Sequence, residues 1–215
     1  MTTSTPAASR PLVLVVDDDP LMRDALQALF RSVGLDSEAF ASTAALLDRP
    51  PPEGESCLVL DVRLPGVSGL DFQAQLSRSG RELPVIFMTG HGDIPMSVRA
   101  MKAGALDFLA KPFRDQDMLD AVTAALEKDR LHREAMTETV RLQGLYRTLT
   151  PREREVMGHV ASGLMNKQIA GEIGLSEITV KIHRSNLMRK LGAHTVAELV
   201  RIADALSAHP LRESI

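Results

Sequence analysis

The N-terminal half of the chain alternates short apolar runs with amphipathic helical stretches, and this alternation restricts the fold more than any other feature. The first helical stretch follows Asp19-Pro20, a capping residue and a first-turn proline, and ends at Gly34. Such alternation is typical of a parallel sheet covered by helices on both faces. We therefore predict a doubly wound α/β domain with five strands: Leu12–Val16, Ser37–Phe40, Leu58–Val62, Val85–Thr89 and Asp107–Leu109.

Polar side chains lie at the ends of four of these predicted strands or directly after them. Asp17-Asp18-Asp19 come after the first, Asp61 lies at the end of the third, Thr89 ends the fourth, and Lys111-Pro112 follows the fifth. In a doubly wound sheet, ligands bind beyond the carboxyl ends of the strands. Because clustered carboxylates repel one another, we expect a cation there, and Mg²⁺ suits an open carboxylate site. A carboxylate beside the metal can accept a phosphoryl group, whose oxygens Thr89 and Lys111 would then bind.

The same residues lie in motifs that resemble response-regulator receiver domains over residues 12–127. The motifs are Val16–Asp19, Asp61–Gly66, Thr89-Gly90 and Lys111–Phe113, and the run Thr89–Met96 further resembles the FixJ-like branch of that family. The resemblance implies that Asp61 is the phosphoacceptor. It also implies a Mg²⁺ site and a switch pair, with these members: Asp17, Asp18, Asp61 and the backbone carbonyl of Arg63 as metal ligands, and Thr89 with Phe108 as the switch. The Lys111-Pro112 bond is cis in such relatives.

After Tyr146 the pattern changes to four short helices. Capping boxes at Thr150–Glu153 and Thr195–Glu198 begin the first and the last. The second helix, near Lys167–Ile173, ends at Gly174, and Ser176 caps the third, which ends at Leu191-Gly192. Two helices joined by a short turn with glycine predict a helix-turn-helix, whose second helix lies in the DNA major groove.

The third helix of this group has two faces. Val180, Leu187 and Leu191 recur at core spacing, and a second face holds Ile178, Lys181, Ile182, Ser185 and Arg189. From periodicity alone, the isoleucines could belong to the core or contact DNA. Lys181 and Ser185 can bond to base edges or phosphates, and Ile182 can contact a thymine methyl.

Residues 148–207 resemble a LuxR-type DNA-binding domain. The resemblance is carried by Leu149–Val156, Asn166–Ala170 and Ser176–His183. It implies a helix-turn-helix over 166–185 with two sets of contacts: bases for Lys181, Ile182 and Ser185, and phosphates for Lys167, Thr179, Arg184 and Arg189. The last helix, Thr195–Leu206, is the dimerisation helix of that family.

The segment between the two domains contains neither glycine nor proline from Arg114 to Gln143, and predicts one helix of about 45 Å. A heptad that begins at Leu119 and ends at Gln143 is apolar at five of eight positions. Two interpretations stay open: a coiled-coil dimer linker, or a helix that packs only on its own domain.

The resulting organisation is a flexible N-terminus (1–11), a receiver (12–127), a helical linker (128–147), the DNA-binding domain (148–207) and a tail (208–215). The chain through Glu127 carries 11 basic and 18 acidic residues, and the remainder 14 and 10, as expected for an acidic site joined to a polyanion binder. With one cysteine, Cys57, and neither a signal peptide nor a membrane span, the sequence predicts a cytoplasmic protein without disulfides or membrane contact.

These observations predict a transcriptional response regulator rather than an enzyme. A sensor histidine kinase would phosphorylate Asp61, and the protein would dimerise, bind double-stranded promoter DNA and activate transcription with RNA polymerase. Residues 148–215 carry nine basic and seven acidic groups, and this net charge of +2 gives a single domain little attraction for DNA. We therefore expect tight binding to require a dimer on two half-sites. The unphosphorylated receiver would either cover the recognition helix or fail to dimerise.

Two other functions fit part of the sequence. The first is a phosphorylation-independent dimeric transcription factor whose receiver serves only for assembly. The second is a phosphatase that forms an aspartyl-phosphate, as haloacid-dehalogenase-like enzymes do. Those enzymes carry a second Asp two residues after the first, where this chain has Arg63.

Overall fold

The computed structural model describes residues 10–90 and 94–208. The chain divides into two compact units whose boundary lies between Arg133 and Glu134. Residues 1–9 of the predicted N-terminus, His91–Asp93 of the FixJ-like run and residues 209–215 of the predicted tail lie outside the described residues.

The first unit is built on a five-stranded parallel sheet, whose strands in spatial order are β2 (Asp36–Phe40), β1 (Leu12–Val16), β3 (Ser56–Asp61), β6 (Val85–Thr89) and β7 (Asp107–Ala110). All five predicted strands are present, although β3 begins two residues earlier than predicted and ends at Asp61 rather than Val62. A short antiparallel ribbon of β4 (Arg63–Leu64) and β5 (Val67–Ser68) follows β3. The helices are α1 (Pro20–Ser32), α2 (Thr43–Leu47), α3 (Gly69–Arg78), α4 (Ile94–Lys102) and α5 (Asp115–Arg147).

The sheet has an apolar core on each face because successive side chains of a strand point to opposite sides. Cys57 and Val59 pack with α1 and α5, whereas Leu58 and Leu60 pack with α3. Every residue of β3 is buried. This double burial explains why β3 is a continuous apolar run rather than an alternating one. The predicted doubly wound fold is therefore confirmed.

The long helix predicted between the domains is present as α5, which has 33 residues. Its first part packs on the sheet, with Val122 and Leu126 in the core. Asp129 is buried and accepts a hydrogen bond from the Ser56 amide at 2.8 Å and another from Arg133 Nε at 2.6 Å. The heptad positions up to Arg133 therefore make packing or hydrogen-bonding contacts within the first unit. For the positions after Arg133, a dimeric coiled coil stays a prediction.

The second unit contains the end of α5 and four short helices around one core. They are α6 (Pro151–Ala161), α7 (Asn166–Ile173), α8 (Glu177–Leu191) and α9 (Val196–Ala208). Leu145 and Tyr146 of α5 pack against this core. Gly174 ends α7 in the left-handed conformation, with φ of +66°, as the predicted turn requires. Within the described residues, none of the helices has an apolar stretch long enough to cross a membrane.

The two predicted capping boxes differ in outcome. At α6 the Thr150 side chain accepts from the Glu153 amide and the Glu153 carboxylate accepts from the Thr150 amide. Before α9, Thr195 accepts from the Glu198 amide, but the Glu198 carboxylate accepts from the amide of His194 instead. The second box was therefore predicted only half correctly, since the carboxylate reaches one residue further back.

Candidate functional site

Three carboxylates meet where β1 and β3 end. Strand order reverses between these two strands, so a crevice opens beyond their carboxyl ends. One carboxylate oxygen each from Asp17, Asp18 and Asp61 lie within 4.8 Å of one another. Asp17 and Asp61 are buried, and Asp18 is exposed. The structure thus brings together the three acidic side chains that the sequence predicts as metal ligands.

Lys111 joins this cluster from the loop after β7. Its Nζ donates to Asp17 Oδ2 and to Asp61 Oδ2, both at 2.6 Å. The Lys111 amide donates to the Thr89 carbonyl at 2.7 Å, which ties the loop after β7 to the end of β6. The Lys111-Pro112 peptide bond is cis, as the resemblance implied. Two strands therefore support the ammonium group over the acidic crevice.

Burial and charge shift two pKa values in this cluster. Burial raises the pKa of Asp17, and the hydrogen bonds from Lys111 and the Asp19 amide only partly oppose it, while the Asp61 charge adds to it. For Lys111, burial would lower the pKa, but hydrogen bonds and charge attraction from Asp17 and Asp61 together raise it. When all four groups are ionised, the three carboxylates and the ammonium give the cluster a net charge of −2. This donor set fits a divalent cation with oxygen ligands, such as Mg²⁺.

The remaining predicted residues of this site lie next to the acids. Asp61 Oδ1 accepts from the Arg63 amide at 2.8 Å, which orients the carboxylate. Thr89 is buried at the end of β6, one residue beyond the Met88 that pairs with Asp61. Phe108 is half-buried on β7 and packs against the core face that α3 also covers.

Two further residues shape the crevice, and nothing in the neighbouring sequence indicated their role. Arg23, on α1, donates through Nη1 to the carbonyls of Asp17 at 2.7 Å and Asp18 at 3.0 Å. Gly69 begins α3, and a Cβ there would lie 2.6 Å from the Asp61 carbonyl oxygen. The close approach of α3 to the end of β3 thus requires glycine, a tertiary constraint that sequence spacing does not reveal.

The second unit presents a helix-turn-helix made of α7, the turn at Gly174 and α8. Val180, Leu187 and Leu191 are buried, as their spacing predicts. Ile178 and Ile182 are 73% and 55% exposed, so the core interpretation of these isoleucines is wrong. Three polar neighbours on the same face are also exposed: Lys181, Ser185 and Arg189. An exposed face that mixes apolar and hydrogen-bonding side chains suits contact with base edges.

The other predicted phosphate contacts differ in exposure. Lys167 is exposed near the start of α7. Thr179 is half-buried, and its hydroxyl lies 2.7 Å from that of Ser176, which also caps α8. Arg184 is half-buried and donates to the Asn166 side chain at 2.9 Å. Two of the four predicted phosphate contacts are therefore engaged in bonds within the unit.

Comparisons with known proteins agree with this arrangement. Residues 13–123 match the response regulator receiver domain, and residues 147–203 match the bacterial regulatory proteins of the luxR family. Nodulation protein W of Bradyrhizobium diazoefficiens is 56% identical over 202 residues, which cover 94% of this chain and 89% of that protein.

Two further proteins extend the likeness across both units. Transcriptional regulatory protein FixJ of Azorhizobium caulinodans is 43% identical over 195 residues, which cover 89% of this chain and 90% of that protein. The solved structure of response regulator StyR is 46% identical and has a TM-score of 0.76, over 91% of this chain and 99% of that one. The chain therefore belongs to the FixJ-like response regulators of two-component systems, transcriptional regulators that join a receiver domain to a LuxR-type DNA-binding domain.

Proposed function

We propose that a sensor histidine kinase phosphorylates Asp61 and that this modification promotes dimerisation and promoter binding. One observation carries the proposal: Lys111 Nζ lies 2.6 Å from both Asp17 Oδ2 and Asp61 Oδ2, so an ammonium is already placed against the acceptor carboxylate. Dimerisation alone would not require a half-buried lysine between two buried acids, because taking these three charges out of water costs free energy that their mutual attraction must offset.

The chemistry transfers one phosphoryl group. The nitrogen–phosphorus bond of a kinase phosphohistidine breaks, a carboxylate oxygen of Asp61 bonds to phosphorus, and the imidazole nitrogen leaves with the bonding electron pair. Asp17, Asp18, Asp61 and the backbone carbonyl of Arg63 would hold Mg²⁺, which offsets the charge of the phosphoryl oxygens. Lys111 and the Thr89 hydroxyl bind those oxygens. The protein itself turns over no substrate in this proposal.

Phosphorylation changes the charge balance of the crevice. It adds about 1.5 to 2 negative charges, as phosphorylation of hydroxyl side chains does. Lys111 then shares its charge with the phosphoryl group, and Thr89 moves toward it. Phe108, the other member of the switch pair that the family resemblance implies, lies half-buried on the strand beside β6 and then moves inward. A full switch from 1:99 to 99:1 needs about 5.5 kcal/mol of preference between the two states, part of which dimerisation can supply.

The output domain binds double-stranded promoter DNA in the cytoplasm. Residues 148–215 carry a net charge of only +2, from nine basic and seven acidic groups, which gives one domain little attraction for DNA. We therefore expect a dimer on two half-sites, assembled through α9, with RNA polymerase as the further partner of an activator. Bases are contacted by Lys181, Ile182 and Ser185, and phosphates by Lys167, Thr179 and Arg189.

The decisive experiment combines intact-mass measurement with light scattering in Mg²⁺, before and after a small-molecule phosphodonor. Wild type should gain the mass of one phosphoryl group and shift to a dimer, and Asp61→Asn should do neither. Asp36→Asn is the matched control, since Asp36 is exposed at the opposite end of the sheet and should behave as wild type. Phosphorylation without dimerisation would favour release of a covered recognition helix.

The same experiment separates the alternatives. If Asp61→Asn dimerised and bound DNA like wild type, the receiver would serve only for assembly and the phosphorylation proposal would fail. A phosphatase would release phosphate catalytically from an ester. We do not expect this activity, because Arg63 occupies the position where such enzymes carry a second acid, and its amide donates a hydrogen bond to Asp61.

A further inference from the structure

Arg184 lies closer to the buried side of α8 than the other DNA contacts predicted on that helix. At about 100° per residue, Arg184 lies about 20° around the helix from the buried Leu191, about 60° from Lys181 and about 160° from Ile182. Arg184 is also half-buried, while Lys181 and Arg189 are exposed. Its position is therefore at the margin of the core rather than on the exposed recognition face.

The Arg184 guanidinium has a partner within the helix-turn-helix. Its Nη1 donates to Asn166 Oδ1 at 2.9 Å. Because a guanidinium offers only donors, the amide oxygen of Asn166, not its nitrogen, must face it. Asn166 is the first residue of α7 and precedes the exposed Lys167. The bond thus joins the start of the first helix to the middle of the recognition helix, across the turn at Gly174.

We propose that Arg184 is a positioning residue that orients the recognition helix relative to the start of α7, and not a phosphate contact. Phosphate contacts fix the register of a protein on DNA, and base contacts read the sequence. A bond between Asn166 and Arg184 therefore links the register set near Lys167 to the base-reading face of α8. Its loss should weaken binding to the correct operator more than binding to unrelated DNA.

This inference replaces the role that the family resemblance gave to Arg184. It rests on the DNA-binding function of the output domain and not on phosphorylation. Dimerisation with a phosphodonor can be scored separately on the same proteins. Failure of the phosphorylation proposal would therefore not be mistaken for failure of this one.

The test measures the salt dependence of DNA affinity for the full chain, with an operator selected from a pool of random duplexes. Arg184→Ala should lower operator affinity about tenfold, as expected for one charge-assisted hydrogen bond, and leave the salt slope unchanged. Arg189→Ala is the matched control: an exposed arginine on the same helix whose loss should reduce the slope by about 0.9.

A double-mutant cycle completes the test. Asn166→Ala should reproduce the loss seen in Arg184→Ala, and the double variant should be no worse than either one. Tyr146 fluorescence checks that each variant remains folded, because Tyr146 packs against this core. A salt slope lowered by about 0.9 in Arg184→Ala, or additive losses in the cycle, would overturn the proposal. Equal losses on operator and unrelated DNA would reduce Arg184 to a merely structural role.

Discussion

Replacing Lys190 with methionine should destabilise the output domain strongly. Lys190 Nζ lies 2.7 Å from Glu153 Oε2, whose side chain is 4% exposed. Breaking a buried ion pair costs about 3 to 5 kcal/mol, because the remaining charge stays buried. The lysine side chain is 27% exposed and Glu153 keeps its bonds to Thr150, so we expect a smaller loss, about 2 kcal/mol.

The pH dependence of this loss gives a second, independent check. Burial alone would raise the pKa of Glu153, but hydrogen bonds from Lys190 and Thr150 and the lysine charge together lower it below its ordinary value of 4.5. A lowered pKa in the folded state stabilises the fold above pH 4.5, and this contribution is lost as the pH falls through the lowered value. Lys190→Met should therefore differ from wild type by about 2 kcal/mol at pH 7 and by much less in acid.

Urea unfolding followed by tyrosine fluorescence measures this domain alone, because Tyr146 is the single tyrosine and the chain has no tryptophan. Arg152→Met is the matched control. Its partner Glu155 lies at the same 2.7 Å on α6, but the two side chains are 54% and 40% exposed, so the loss should stay below about 1 kcal/mol. Equal losses in the two variants, or a pH-independent difference for Lys190→Met, would refute the reasoning.

Three further variants test the rest of the structure. Gly69→Ala places a methyl 2.6 Å from the Asp61 carbonyl oxygen and should destabilise the first unit by about 1 to 3 kcal/mol. The rate of phosphorylation, monitored by intact mass, should fall, and an unchanged rate would contradict this. Asp129→Asn removes the charge of a buried hydrogen-bond acceptor and should lower the free energy of unfolding by about 2 kcal/mol. Because the buried Cys57 would then be exposed more often, its alkylation should be about 30-fold faster, and an unaltered rate would contradict the prediction. Lys181→Ala should weaken operator binding while phosphorylation stays intact, and equal loss of both would indicate unfolding.

The elements of this fold that depend on local sequence were predicted well. The five strands follow from apolar runs, and Gly174 and Thr150 mark a helix end and a helix start by backbone conformation and capping. The acidic cluster was predicted because the parallel strands of a doubly wound sheet bring their carboxyl ends, and with them Asp17 and Asp61, to one edge.

What the sequence could not show were contacts between residues distant along the chain. Asp129 is one of the three polar positions of the heptad between Leu119 and Gln143, yet it is buried and accepts a hydrogen bond from the amide at the start of β3, 73 residues away. The family resemblance implied that Arg184 contacts phosphate, yet its guanidinium donates to a side chain 18 residues away. Periodicity assigns a residue to a face but does not identify its partner, and in both cases the partner determines the role.

The packing around β3 also indicates which part of the receiver can move when Asp61 is modified. All six residues of β3 are buried, and the Ser56 amide at its start is bonded to Asp129 of α5. Strand β7, in contrast, has three half-buried residues and ends at the exposed Ala110. Local opening is easiest where few apolar contacts are buried. A charge added at Asp61 therefore meets a rigid strand on its own side and a more deformable edge at β7, which carries Phe108 and is followed by Lys111. Edge strand β7 can therefore change shape at a lower cost than β3, the strand that carries Asp61.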